Sequence, residues 1–237
     1  MRHLRMLGLM LLAALALGAY AAAMASAEAG LLTLSGKSEE FKISSSEGKT
    51  PLLKSGENEI ACTKLAPTTA SASGAHVNLF NEVTLDFEGC KEVKSELNCR
   101  SETLKAEKDP IGTILVLADF HMVELENASK ALEAGLAVIL LDSNTKKLGV
   151  VKIKCGIGNI EVKGTVKGVI SGASKTEDIT KGSFVFGGSN KCDTSDSLCK
   201  TLEAEPFLAN FSNAGYEAAT ETVTTPFTSN IMGLLDY

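Results

Sequence analysis

Six cysteines are distributed along this sequence, and all of them follow an N-terminal stretch with the layout of a secretory signal. An even set of cysteines in an exported chain predicts a fold held by disulfides, because thiols oxidise and stay oxidised outside the cytoplasm. The pattern therefore restricts both where the chain works and how it is held together. The set comprises Cys62, Cys90, Cys99, Cys155, Cys192 and Cys199.

The first 27 residues are predicted to be a signal peptide. A short basic start precedes an apolar run over residues 6–18, and Ala25-Ser26-Ala27 fits the A-x-A cleavage pattern. We expect cleavage after Ala27, which leaves residues 28–237 as a single secreted β-domain without stable membrane insertion. The alternative is a membrane anchor through residues 6–27, because that uncharged stretch is nearly long enough to span a bilayer.

Hydrophobic residues recur with a period of two, which predicts strands that have one buried and one wet face. Val83, Leu85 and Phe87 alternate with polar residues, and Val151 to Cys155 does the same before a glycine-containing break. Together with the alternating arm Ile160–Ile170, this second segment predicts a hairpin. Gly164 and Gly168 fall on the apolar side of that arm, so we expect a bend or a close backbone approach there.

Many short strands and few helices predict an all-β, antiparallel sandwich or barrel-like domain stapled by disulfides. Leu136 to Leu141 is apolar throughout and should form a central strand covered on both faces. Ala128 to Ala134 is the helix candidate, and the stretches 68–74 and 171–176 are expected to be loops. Other strands are expected at 31–35, 40–44, 57–64, 76–79, 113–125, 183–186, 206–211 and 220–225.

Spacing suggests how the cysteines pair. Polar, turn-like intervals separate Cys90 from Cys99 and Cys192 from Cys199, and such loops can bring two Cα atoms within the roughly 5–6 Å that a disulfide needs. We therefore expect the pairs Cys90–Cys99 and Cys192–Cys199. The remaining pair, Cys62–Cys155, would join two inward-facing strand positions. Structural zinc is disfavoured, because neither close pair has the spacing of a zinc ligand pair.

Charge and motifs exclude several functions. The net charge of −6, without a basic run, disfavours nucleic acid as a partner. The nucleophile elbow, the dinucleotide-binding loop and the phosphate-binding loop are all missing from the sequence, so no cofactor is expected. Asp193 and Asp196 could supply oxygen ligands for calcium, but a local turn is the favoured explanation of that segment.

One pair of residues could serve a hydrolase. Asp119 and His121 are two residues apart on a predicted strand and should point the same way, so the carboxylate could orient the imidazole. A catalytic site also needs a nucleophile, and nothing in the sequence nominates one. His121 is therefore expected to be an ordinary strand residue, and no catalytic or metal-binding residue is assigned.

Three cysteine-containing segments carry a resemblance. They are Asn58-Glu59-Ile60-Ala61-Cys62, the segment from Val83 to Cys90, and Asn98-Cys99-Arg100-Ser101. Their spacing resembles that of small exported bacterial proteins of uncharacterised function, over about residues 58–126. The resemblance implies an extracellular β-protein with disulfides and carries over no active site.

These observations favour a non-enzymatic, secreted interaction or structural module. Its contacts with a surface or matrix partner should lie on loops at one end of the sheets, where scaffold folds present binding residues. An exported hydrolase with a site near Asp119 and His121 is the alternative. A third interpretation is assembly through an exposed strand edge, such as Thr220 to Thr225.

Overall fold

In the residues it describes, the computed structural model of the chain is almost entirely β. It describes residues 32–35, 39–45, 50–72, 76–77, 79–104, 111–126, 132–156, 158–171, 181–186, 191–192, 197–211, 215–229 and 232–234. The predicted signal peptide and the predicted turn that contains Asp193 and Asp196 lie outside the described residues.

The elements are numbered here in chain order. The strands are β1 Leu32–Ser35, β2 Glu39–Ile43, β3 Leu52–Ser55, β4 Asn58–Ala61, β5 Lys64–Leu65, β6 Thr68–Ala72, β7 His76–Val77, β8 Leu79–Glu88, β9 Lys91–Glu92, β10 Cys99–Ser101, β11 Ile114–Glu126, β12 Leu132–Leu140, β13 Val150–Cys155, β14 Gly158–Lys163, β15 Thr165–Ser171, β16 Lys181–Phe186, β17 Lys191–Cys192, β18 Leu208–Phe211, β19 Glu217–Ser229 and β20 Met232–Leu234. Among the described residues, helix α1 spans Ser197–Glu203.

Every strand pairing among the described residues is antiparallel, and most pairings belong to two large sheets. The first sheet has the order β6–β2–β19–β16–β15–β12–β11–β8–β5. The second has the order β10–β13–β14–β18–β19–β3–β4–β9. Because β19 runs through both, the sheets form a near-barrel around one apolar interior. The predicted sandwich or barrel-like fold is confirmed.

Strand β19 contains the segment from Thr220 to Thr225 that the sequence suggests as an assembly edge. Its first half pairs with β18 and β3, and its second half pairs with β16 and β2. The residues from Thr220 to Thr222 pair with β3, and those from Val223 to Thr225 pair with β16. Each has one partner strand among the described pairings, so assembly through the other side of β19 stays a prediction. The Thr-rich sequence indicates a strand correctly, but its pairing depends on distant residues.

Strands β11 and β12 are buried on both faces. Alternate residues such as Phe120 and Val138 face the interior between the two sheets. Their neighbours, among them Val123 and Ile139, form a second apolar cluster on the outside. Helix α1 contributes Leu202 to that outer cluster. The prediction that the run from Leu136 to Leu141 is covered on both faces is confirmed.

Gly164 allows the chain to pass from one sheet to the other. Its φ is +102°, and a Cβ placed there would lie 2.0 Å from the carbonyl oxygen of Pro206. Only glycine fits such a backbone approach. The predicted arm from Ile160 to Ile170 is consequently divided here: β14 belongs to the second sheet and β15 to the first. The expected hairpin is confirmed as β13–β14.

Two of the three predicted disulfides are wrong. The chain contains Cys62–Cys90 and Cys99–Cys155, with Cα atoms 3.9 Å and 4.0 Å apart. The predicted pairs Cys90–Cys99 and Cys62–Cys155 are not formed. Cys99 and Cys155 are directly opposite each other on β10 and β13, and this register, rather than loop length, decides the pairing. Cys192–Cys199 is formed as predicted.

Two local predictions are also wrong. Thr68–Ala72, expected to be a loop, is strand β6, because β-branched threonines fit a pleated surface. Leu132–Ala134, the end of the expected helix, belongs to β12; residues 127–131 lie outside the described part. The helix that does form, α1, has seven residues, so it depends on packing and on Cys192–Cys199 rather than on helix propensity.

Candidate functional site

The predicted pair Asp119 and His121 occupies the outer face of β11, as expected from strand periodicity. The two side chains do not form the hydrogen bond that a catalytic dyad requires. Asp119 Oδ1 instead accepts a hydrogen bond from the backbone N–H of Glu82, at 2.8 Å. Both ring nitrogens of His121 are buried without a hydrogen-bond partner. The carboxylate therefore does not orient the imidazole.

A β-bulge explains why Asp119 binds Glu82. The register between β8 and β11 shifts next to Asp119, where Asn81 and Glu82 face a single residue. Glu82 has a φ of +54°. The bulge leaves the Glu82 N–H without a partner in the ladder between β8 and β11, and the Asp119 carboxylate accepts a hydrogen bond from it. Burial raises the pKa of Asp119, and the Glu82 N–H opposes that rise. An ion pair between Lys146 and Glu82 adds to the cluster.

His121 is a buried residue of the fold rather than an exposed base. It is 2% exposed, between Leu79 and Ala137 of the neighbouring strands, in register. Burial lowers its pKa to about 4, so the ring is neutral at pH 7. A neutral imidazole without an orienting group and without access to solvent lacks what general-base catalysis requires.

A polar cleft of about 520 Å³ lies between β6 and β8. Asn81, Glu82, Thr84 and Asp86 line its β8 side, and threonines line the other. One oxygen of Asp86 is buried without a partner, and burial, followed by the charge of Glu88, raises the pKa of this carboxyl. The lining contains threonine hydroxyls and two carboxylates, and neither histidine nor cysteine.

Metal binding gains no support from the described residues. They contain no group of three or more histidine, cysteine or acidic side chains that could hold a metal ion. Next to the segment of Asp193 and Asp196 along the chain, the backbone N–H of Cys192 donates a hydrogen bond to the Glu203 carboxylate at 2.7 Å. The same oxygen pairs with Lys167 at 3.3 Å. This carboxylate therefore connects α1 to β17.

Two disulfides and a set of backbone hydrogen bonds fix the loops at one end of the near-barrel. We call residues 90–99 and 111–112 the disulfide-braced end. Cys90 N–H donates to the carbonyl of Gly112 at 2.7 Å, and Cys99 N–H donates to the carbonyl of Cys90 at 2.9 Å. Both cysteines are fully buried. Their partners Cys62 and Cys155 tie this end to the strands on either side.

Three large apolar side chains are exposed on the disulfide-braced end. Val93 is 46% exposed, Leu97 is 45% exposed and Ile111 is 60% exposed. The turn that carries Val93 and Leu97 is closed by the Glu92 N–H, which donates to the carbonyl of Leu97 at 3.0 Å. Ile111 precedes Gly112, whose position is fixed by Cys90.

Leu97 is held in place by a glycine on the neighbouring strand connection. Gly156 has a φ of +55°, and a Cβ there would lie 2.4 Å from Cδ1 of Leu97. The Gly156 N–H also donates to the carbonyl of Asn98 at 3.3 Å. The sequence alone does not indicate this surface, since an apolar residue is by default expected inside the fold.

Comparison with known proteins adds no relationship: no family model, curated protein or solved structure matches the chain. Within the described residues, the helix is too short to cross a bilayer.

Proposed function

We propose that the protein is a secreted, non-enzymatic interaction module that contacts its partner through Val93, Leu97 and Ile111 of the disulfide-braced end. The exposure of these three side chains on fixed loops is the observation that carries the proposal. Three disulfides support export, since such links persist in oxidising compartments. A surface or matrix component is the kind of partner we expect.

Rigid loops are well suited to binding. Ordering a mobile loop upon association costs free energy, so a loop that is already fixed retains more of its contact energy. Exposed apolar groups on such loops gain affinity when a partner removes them from water. The neighbouring charged pair Lys94 and Glu57, with N–O at 3.1 Å, forms a polar border of the kind that surrounds apolar contact residues.

The geometry around His121 does not favour hydrolysis at this position. A hydrolase would need His121 to be reachable and oriented, whereas it is buried and the carboxylate of Asp119 is bonded to Glu82. We therefore do not favour the exported-hydrolase alternative.

A displayed library of random peptides tests the proposal. The purified chain is used as the target, and selected peptides are then titrated against a variant carrying Val93→Ser, Leu97→Ser and Ile111→Ser. We expect enriched peptides whose affinity falls by about tenfold or more in this variant, because apolar burial drives the contact. Val185→Ser is the matched control, since Val185 is 37% exposed on strand β16.

The library experiment can also contradict the proposal. Peptides that bind the triple variant and the unmodified chain equally would place the contact surface elsewhere. A library that yields no enriched sequence would argue against a binding role for this end. Unfolding curves for each variant ensure that a loss of affinity is not a loss of fold.

A further inference from the structure

An apolar cavity lies between the two large sheets, near the end where β12 leads into β13. Its volume is about 70 Å³. The first sheet lines it with residues that include Val116 and Val138, and the second sheet with residues that include Ile60, Ile153 and Val162. Every side chain in the lining is apolar or belongs to a disulfide.

The lining determines what can occupy the cavity. A buried water needs two to four polar partners, and this cavity has no polar side chain to offer. Apolar cavities of this kind stay dry and accept apolar molecules instead. An engineered cavity of about 150 Å³ accommodates benzene, so a cavity of about 70 Å³ is too small for a ring and has room for the last few carbons of an alkyl chain.

The cavity is not sealed from solvent. Leu52, Phe87 and Phe207 line it but are only partly buried, so the lining reaches the surface at these side chains. A chain could enter there with its terminal methylenes inside and its polar end in water. The enclosed part has room for only a few carbons, and the partly exposed side chains can cover the next few methylenes.

We propose that this cavity binds the end of an unbranched alkyl chain from a single-chain amphiphile, such as a fatty acid or a fatty alcohol. The recognised feature is the chain, because no charged side chain lines the cavity. The polar head stays outside and does not determine affinity. Cys62 lines the cavity and is bonded to Cys90 of the disulfide-braced end. However, Val93, Leu97 and Ile111 do not line it, so this proposal does not depend on the function proposed for that end.

Three eight-carbon ligands test the proposal by titration calorimetry on the full chain. 1-Octanol and octanoate share the alkyl chain but differ in the head, and cyclooctanol has the same carbon number in a wide ring. We expect 1-octanol and octanoate to bind with similar Kd values and cyclooctanol to bind about tenfold or more weakly, because it does not fit. Binding of octanoate alone would overturn the proposal, because the head would then be the recognised group.

Substitutions at Val162, which lines the cavity, test whether the alkyl chain binds there. Val162→Phe fills the cavity, and Val162→Thr keeps the shape but introduces a hydroxyl into the dry lining; each should raise the Kd for 1-octanol by about tenfold. Val185→Phe, at an exposed position, is the control and should leave the Kd unchanged. If Val162→Phe does not fold, Val162→Thr decides the question.

Two results would contradict binding of the alkyl chain in this cavity. An unchanged Kd in both Val162 variants would show that the alkyl chain binds elsewhere. Absence of 1-octanol binding, together with a higher melting temperature for Val162→Phe, would identify the cavity as a packing void. The triple variant of the disulfide-braced end should retain 1-octanol binding, so failure of one proposal is distinguishable from failure of the other.

Discussion

His121 should make the protein less stable as the pH falls below neutrality. The ring is buried without a hydrogen-bond partner, and burial lowers its pKa from 6.5 to about 4. In the unfolded chain the ring regains its ordinary pKa and is protonated first as the pH falls. Protonation therefore favours the unfolded state, and the folded state loses stability between about pH 6.5 and pH 4.

The size of this loss follows from the two pKa values. Each unit of difference corresponds to 1.36 kcal/mol, so the difference between 6.5 and about 4 amounts to about 3 kcal/mol. That is a large part of the 5–15 kcal/mol typical of a folded domain. Below about pH 4 the folded state also binds the proton, and the contribution of His121 levels off.

Urea unfolding of the disulfide-bonded chain, followed by circular dichroism from about pH 7.5 to pH 4, measures the effect. The comparison is with His121→Leu, which has a similar volume and cannot titrate. The difference in stability between the two proteins should change by about 3 kcal/mol over this range. At neutral pH the leucine should also stabilise, by about 1–3 kcal/mol, because it removes two buried nitrogens without partners.

Carboxylates do not obscure this comparison. Burial raises the pKa values of Asp86 and Asp119, so their protonation favours the folded state and acts in the opposite direction as the pH falls. Both are present in the His121→Leu variant, and their contribution cancels in the difference. Parallel pH profiles for the two proteins would refute the reasoning, because His121 would then have the same pKa in the folded and unfolded states.

Two further outcomes follow from the backbone and the disulfides. Gly164→Ala should destabilise by at least about 3 kcal/mol in urea unfolding, because it combines a positive φ with a backbone clash. Gly215→Ala is the control: its φ is +109° but nothing lies within 4 Å, so only about 1 kcal/mol is expected. Non-reducing digestion should yield a peptide linked through Cys62 and Cys90, and a Cys90–Cys99 link would contradict the pairing.

Local pattern was sufficient to predict the strands that alternate cleanly. The segment Val83–Phe87 and the hairpin β13–β14 have a period of two over several residues. The run Leu136–Leu141 is apolar on both faces, and the outer apolar cluster, to which α1 contributes Leu202, lies on the outside of the sheet. Helix α1 was missed because its support is tertiary. The helix contacts β11 and β17, Leu202 belongs to the outer apolar cluster, and Cys199 is bonded to Cys192.

The site was harder to predict than the fold. The spacing of Asp119 and His121 correctly placed both on one strand face, but the bulge that directs Asp119 towards Glu82 depends on the register of a distant strand. The exposure of Val93, Leu97 and Ile111 has no counterpart in the sequence pattern. Apolar residues usually indicate a core, and only the positions of neighbouring loops show that these three are outside it.

The corrected disulfide pairing bears directly on the proposed function. A Cys90–Cys99 link would have closed the turn containing Val93 and Leu97 only upon itself, and the turn could have moved as a unit. The pairs formed instead attach Cys90 to the end of β4 and Cys99 to β13, on opposite sides of the turn. Val93 N–H adds a third attachment, donating to the carbonyl of Glu59 at 2.9 Å. The exposed apolar side chains are thus fixed relative to the second sheet, which is what a preorganised contact surface requires.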